Sequence, residues 1–167
     1  MAKLGTSSSC ECALLDDLAV IDMGAHDEIF RTLDEVRMRG TPWWWLYASA
    51  CKACGQHWLV AQEERQNDIF ILRRLNQEVA DRLIKENIWP TEFDQYESLL
   101  RIGRDSGKSV RWADLADSSL LATIADLAQG RPGIRVSELA SLLNLDPVDA
   151  AGLARQIKDA KITYDLG

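Results

Sequence analysis

Apolar residues recur along this chain in two rhythms, one suited to strands and one to helices. Trp43-Trp44-Trp45-Leu46-Tyr47-Ala48, His57-Trp58-Leu59-Val60-Ala61 and Ile69-Phe70-Ile71-Leu72 are short runs rich in aromatic and β-branched side chains. Runs of this length, bounded by polar turns, predict strands. The connections, Cys51–Gly55 and Glu63–Asp68, are short, so the three runs are expected to pair antiparallel in one sheet. Three consecutive tryptophans place rings on both faces of their strand, which predicts a strand covered on both sides.

The helical rhythm fills the rest. Ile29, Phe30, Leu33 and Val36 make one stripe and predict a helix over Asp22–Arg39, ended by Gly40-Thr41-Pro42. Leu14, Leu15, Leu18 and Ile21 fit a shorter amphipathic turn or helix. Leu75, Val79, Leu83 and Ile84 predict a helix over Arg74–Glu86. Thr91-x-x-Asp94 reads as a capping box for a helix carrying Phe93, Tyr96, Leu99 and Leu100. The polar loop Gly103–Ser109 divides the chain into a region 1–103 and a helical region 104–167. In the latter, Ser118 or Ser119 caps a helix with Leu120, Leu121, Ile124 and Leu127, closed by Gly130. Ser137 caps Glu138–Leu143, Asn144 ends that helix, and Asp146-Pro147 opens another that buries Ala150, Leu153 and Ile157. The chain finishes in an extended piece, Ile162–Leu166. The fold class expected is α+β.

The 167 residues are 47 % apolar and 27 % charged, the balance of a globular protein with one well-packed domain or two small ones. No apolar run approaches the roughly 20 residues of a membrane span. Met1–Ser9 lacks the apolar stretch of a signal peptide, so a reducing cytoplasm is the expected compartment. The formal net charge of −7 argues against a protein built to grip phosphates and suits one whose partner is basic.

Four cysteines form two close pairs, Cys10/Cys12 and Cys51/Cys54. Cys51-Lys52-Ala53-Cys54-Gly55 lies between two predicted strands, so it is a hairpin knuckle rather than the strand-to-helix turn of a redox centre. Two thiolates on a tight turn, with glycine next to let the backbone reach φ > 0, supply half of a tetrahedral zinc site. The upstream pair supplies the other half, although its one-residue spacing is tighter than usual. Zinc held by Cys10, Cys12, Cys51 and Cys54 is the expected cofactor. Redox or disulfide use of these thiols, and thiols with no joint role, are the alternatives. His26 and His57 are alternative ligands for one position.

This pattern, on Cys10, Cys12, Cys51, Cys54 and Gly55, is similar to that of small bacterial zinc-ribbon proteins. The resemblance implies a zinc-ribbon-like three-stranded antiparallel sheet with flanking helices; a small helical half, helix-turn-helix-like over Ser137–Asp159, is expected to follow it. Size, acidity and the lack of a catalytic constellation are like those of immunity proteins paired with basic polymorphic toxins. That likeness implies a non-enzymatic, protein-binding module that neutralises a basic toxin by direct contact. On it, Glu63, Glu64 and Asp68, in the polar turn beside the knuckle, are the expected partner-binding residues.

Other motifs are weaker. Gly103-Arg104-Asp105-Ser106-Gly107-Lys108-Ser109 has three residues between its glycines where a phosphate loop has four, and a predicted helix rather than a strand precedes it. His26 stands beside Asp27, but no nucleophile is recognisably placed with either histidine. Ser137–Asp159 resembles a helix-turn-helix, which makes a transcriptional regulator the alternative function. Its second helix opens on Asp146 and Asp149, however, and carboxylates at the point of closest phosphate approach make DNA binding unfavourable.

Overall fold

The computed structural model describes residues 10–21, 27–40, 44–63, 69–107 and 114–166, with the side chains of Asp27 and Glu63 excepted. They pack as two compact units, Met1–Asp94 and Gln95–Gly167. The division expected after residue 103 falls inside a helix of the second unit, because the apolar face of that helix packs against a later helix of the same unit.

The first unit is a five-stranded antiparallel sheet in the order β1-β5-β4-β3-β2, built from β1 (Leu18–Ile21), β2 (Leu33–Gly40), β3 (Trp44–Cys51), β4 (His57–Glu63) and β5 (Ile69–Leu75). The three expected strands are its β3, β4 and β5. The two added strands come from segments with helical apolar spacing. Leu33–Gly40 is the clearer correction. In place of a helix through Arg39, the chain makes a 3-10 turn (Asp27–Arg31) and then pairs with β3 from Leu33↔Cys51 to Gly40↔Trp45. The Thr32 hydroxyl donates to the Ile29 carbonyl and closes the turn. A helix here would leave the backbone groups along one edge of β3 without partners, and ladder pairing outweighs a weak periodicity. Val36 sits where the β2–β3 register slips and is 43 % exposed, so it belongs to no stripe. Likewise Leu18–Ile21 extends and pairs with β5, after a 3-10 turn at Cys12–Leu14.

Successive strand residues face opposite sides of the sheet. One face, with Leu46, Leu59 and Ile71, is covered by helix α1 (Gln77–Glu86), which buries Ala80 and Leu83 and packs on β3 and β4. The Asn76 side chain accepts from the Val79 N–H, and Asn87 at φ +59° ends the helix. The helix thus begins three residues later than expected, because Arg74 and Leu75 complete β5. The other face carries Trp58, Val60, Phe70 and Leu72 in a core with Ile21, Ile29, Cys12 and Cys51. Trp44 is buried, but Trp45 is 36 % exposed, so β3 is covered on both sides only in part.

The second unit contains α2 (Tyr96–Asp105), α3 (Ser118–Gly130), α4 (Val136–Leu143) and α5 (Pro147–Ala154). A two-residue parallel pair, β6 (Ile134–Arg135) and β7 (Ile162–Thr163), ties its end to the start of α4. The caps differ from expectation in detail. Asp117, a stronger acceptor than a hydroxyl, caps α3 through the Ser119 N–H at 2.8 Å. Ser137 is already inside α4 and binds Asp165. The Thr91/Asp94 capping box does not form, since the Asp94 carboxylate accepts from Arg39 on β2. Asn144 in the left-handed region and Pro147 at the first turn of α5 stand as expected. No helix among the described residues is long and apolar enough to cross a membrane.

Candidate metal centre

β3 ends on Cys51, and the chain turns through Lys52-Ala53-Cys54 before β4 begins at His57. The Gly55 N–H closes the knuckle onto the Cys51 carbonyl at 2.8 Å, and the Cys51 N–H donates to Gln56 at 2.9 Å. Gly55 has φ +77° with open space around its Cα, so its glycine serves the backbone angle rather than a close approach. The second pair arrives from the segment before β1, where the Leu14 N–H donates to Glu11 and fixes the 3-10 turn behind Cys10 and Cys12.

The four sulfurs lie within 4.8 Å of one another. Four bonds of about 2.3 Å at tetrahedral angles would set them about 3.8 Å apart, so the thiols stand close to the arrangement a zinc-sized ion needs. Cys12 and Cys51 are 2 % exposed, Cys10 is half-buried and Cys54 faces solvent. The set is soft, and four sulfurs complete a tetrahedral shell with no open position. That is the donor set of a structural zinc rather than a catalytic one.

As thiols, the four differ sharply in acidity. Burial pushes Cys12 up to about 12, against the opposing pull of the Trp58 N–H. Burial also raises Cys54. At Cys51 burial is outweighed by hydrogen bonds from Thr32, the Cys54 N–H and the Ala53 N–H, and the value falls to about 6. The Thr32 hydroxyl has a single proton and also the Ile29 carbonyl at 3.0 Å, so the two backbone N–H groups are the firmer support for a Cys51 thiolate. A divalent cation stabilises all four thiolates and releases the protons that burial otherwise retains.

The residues around the ligands were not legible in the sequence. The Trp58 Nε1–H donates to Cys12 Sγ at 3.4 Å. Arg74, its cross-strand neighbour on β5, lies with its guanidinium 4.5 Å from the Trp58 ring centre. The same guanidinium donates to the carbonyls of Cys12 (2.8 Å) and Leu15 (2.7 Å), to Gln56 (3.1 Å) and to Asp17 (3.0 Å). Gln56 in turn donates to the His57 and Leu75 carbonyls. One side chain therefore ties the Cys10/Cys12 segment to the knuckle and to the sheet. Only the strand register could have disclosed this, since Arg74 faces Trp58 across β4 and β5 while it stands beside Arg73 in the sequence.

His57 pairs with Ala50 on the face opposite Cys51, close enough to Asp81 of α1 to add to Lys85 and Gln77 in holding that carboxyl below its usual range. It is not among the residues that converge on this cluster. His26, Glu64 and Asp68 lie outside the described residues, as does the Glu63 side chain; the Glu63 backbone pairs with Trp44 and Ile69. Comparison with protein families, with curated proteins and with solved structures returns no match.

Proposed function

We propose that the chain is a non-enzymatic protein-binding module whose first unit is stapled by one zinc ion on Cys10, Cys12, Cys51 and Cys54. The observation that supports it is the convergence of these four sulfurs, from two separate segments, on one point beside the core. The zinc supplies cross-linking: bound there, it joins the segment before β1 to the β3–β4 hairpin. Trp58, Arg74 and Gln56 hold the loops in place, and burial of Cys12 and Cys51 excludes water. A closed four-sulfur shell offers no position for a substrate, which argues for a structural role.

With a net charge of −7, the fitting partner is a basic protein, and a toxin domain neutralised by direct contact is one such partner. The test is capture of a basic protein encoded beside this one by the zinc-loaded chain, with loss of capture in Cys51→Ser. Capture that is indifferent to metal and to Cys51 would separate binding from the staple and overturn the reading.

A further inference from the structure

The metal centre lies at one end of a sheet face whose other end is left uncovered by the described residues. There, β2 and β3 form a groove of about 430 Å³ lined by Phe30, Leu33, Glu35, Met38, Trp45 and Tyr47. Met38 is 52 % exposed and Trp45 36 %, a large apolar surface for a place with no covering element among the described residues. Leu33 pairs with Cys51, and the Lys52 N–H donates to the Thr32 carbonyl at 2.8 Å. The knuckle therefore braces the wall that supplies Phe30 and Leu33. At the far end the Trp45 ring sits over Gly40, where an added Cβ would come within 3.0 Å of Cζ3. The glycine lets this ring lie against the strand.

Among the described residues, Glu35 is the one charged side chain lining this groove. No cation among the described residues pairs with it: Lys52 pairs with Asp34, Arg37 binds Asn87, and Arg39 pairs with Asp94. Its carboxylate stands near enough to Tyr47 to add to burial in pushing that phenol up to about 12. Aromatic faces beside a carboxylate attract a cation, and a planar guanidinium suits both: it stacks on rings and forks onto a carboxylate. A compact, strongly hydrated ammonium is less well matched.

We infer that this groove is a docking site for an arginine side chain of a basic protein partner, seated between Trp45 and Tyr47 and paired with Glu35. The inference rests on the binding-module reading above and assigns its contact surface. It moves that surface from the Glu63–Asp68 turn to the β2–β3 face.

The experiment is a titration of the zinc-loaded full chain, followed by NMR at the Trp45 indole N–H and at Tyr47. The probes are an arginine-containing decapeptide and its citrulline counterpart, which has nearly the same shape without the charge. Saturable shifts at Trp45 and Tyr47 with the arginine peptide only, weakened about tenfold or more in Glu35→Gln, are expected. Gly40→Ala, which displaces the Trp45 ring, is expected to weaken binding while zinc content stays at the wild-type level. Equal affinity for the citrulline peptide, unchanged affinity in Glu35→Gln, or no shift at Trp45 and Tyr47 at millimolar peptide would each overturn the assignment. Zinc content, measured on the same samples, reports separately on the staple.

Discussion

The indole Nε1–H of Trp58 donates to the sulfur of Cys12 at 3.4 Å, and the guanidinium of Arg74 lies over the same ring. A buried tryptophan thus serves two ends. Its body fills the core between the strands, and its one polar atom meets a thiol that is 2 % exposed. Outer contacts of this kind orient metal ligands and tune their charge.

Trp58→Phe keeps an aromatic ring and deletes the donor. We expect the folded protein to persist with metal affinity lowered about 10- to 100-fold, read by competition with a chromogenic chelator. Unchanged affinity would mean that the contact is incidental. Arg74→Gln should act in the same direction, since it frees the Cys12 and Leu15 carbonyls and leaves the Trp58 face without its cation.

Chelation of the metal should destabilise the first unit far more than the second. Metal affinity at such a site is folding free energy, on the order of 10 kcal/mol in small zinc modules. Amide exchange should therefore lose protection across β1, β2 and β3 while α3, α4 and α5 keep theirs. Uniform loss across both units would contradict this.

What could be read in the sequence was what depends on local spacing. The two cysteine pairs, the three aromatic-rich strands and the Asn144–Pro147 turn each have their cause within a few residues. The misreadings share a different origin. Leu33–Gly40 takes its conformation from the edge of β3, and Leu18–Ile21 from the edge of β5, so partners distant in the sequence overrode a helical spacing. The same cause hid Arg74, whose hydrogen-bond partners span Cys12 to Gln56. The Glu35 groove was invisible because a bulge sets its register.

Acid should weaken the second unit through Glu138, whose carboxylate accepts from Arg131 at 3.1 Å and from the Arg135 N–H at 3.4 Å. Arg131 foremost holds this carboxyl below its usual range. A carboxyl lowered by folding stabilises above the unfolded value of about 4.3 and ceases to do so as pH falls through its folded value. Glu138→Gln should therefore melt slightly lower than wild type at neutral pH, with the gap closing as pH falls below the ordinary carboxylate range. A gap that widens in acid would reverse the sign and refute it.

Duplex DNA should not bind. The turn from α4 into α5 places Asp146 as the cap and Asp149 in the first turn of α5, where phosphates would approach. A mobility shift at about 0.15 M salt is expected to show no complex. Sequence-dependent binding that weakens steeply with added salt would restore the regulator reading.

X-ray absorption at the zinc edge, on purified protein with its metal content determined, tests the metal centre most directly. One zinc per chain, surrounded by four sulfurs at about 2.3 Å and no nitrogen or oxygen, is the result expected of Cys10, Cys12, Cys51 and Cys54. Protein purified without zinc, or a mixed shell in which a histidine replaces one sulfur, would contradict it.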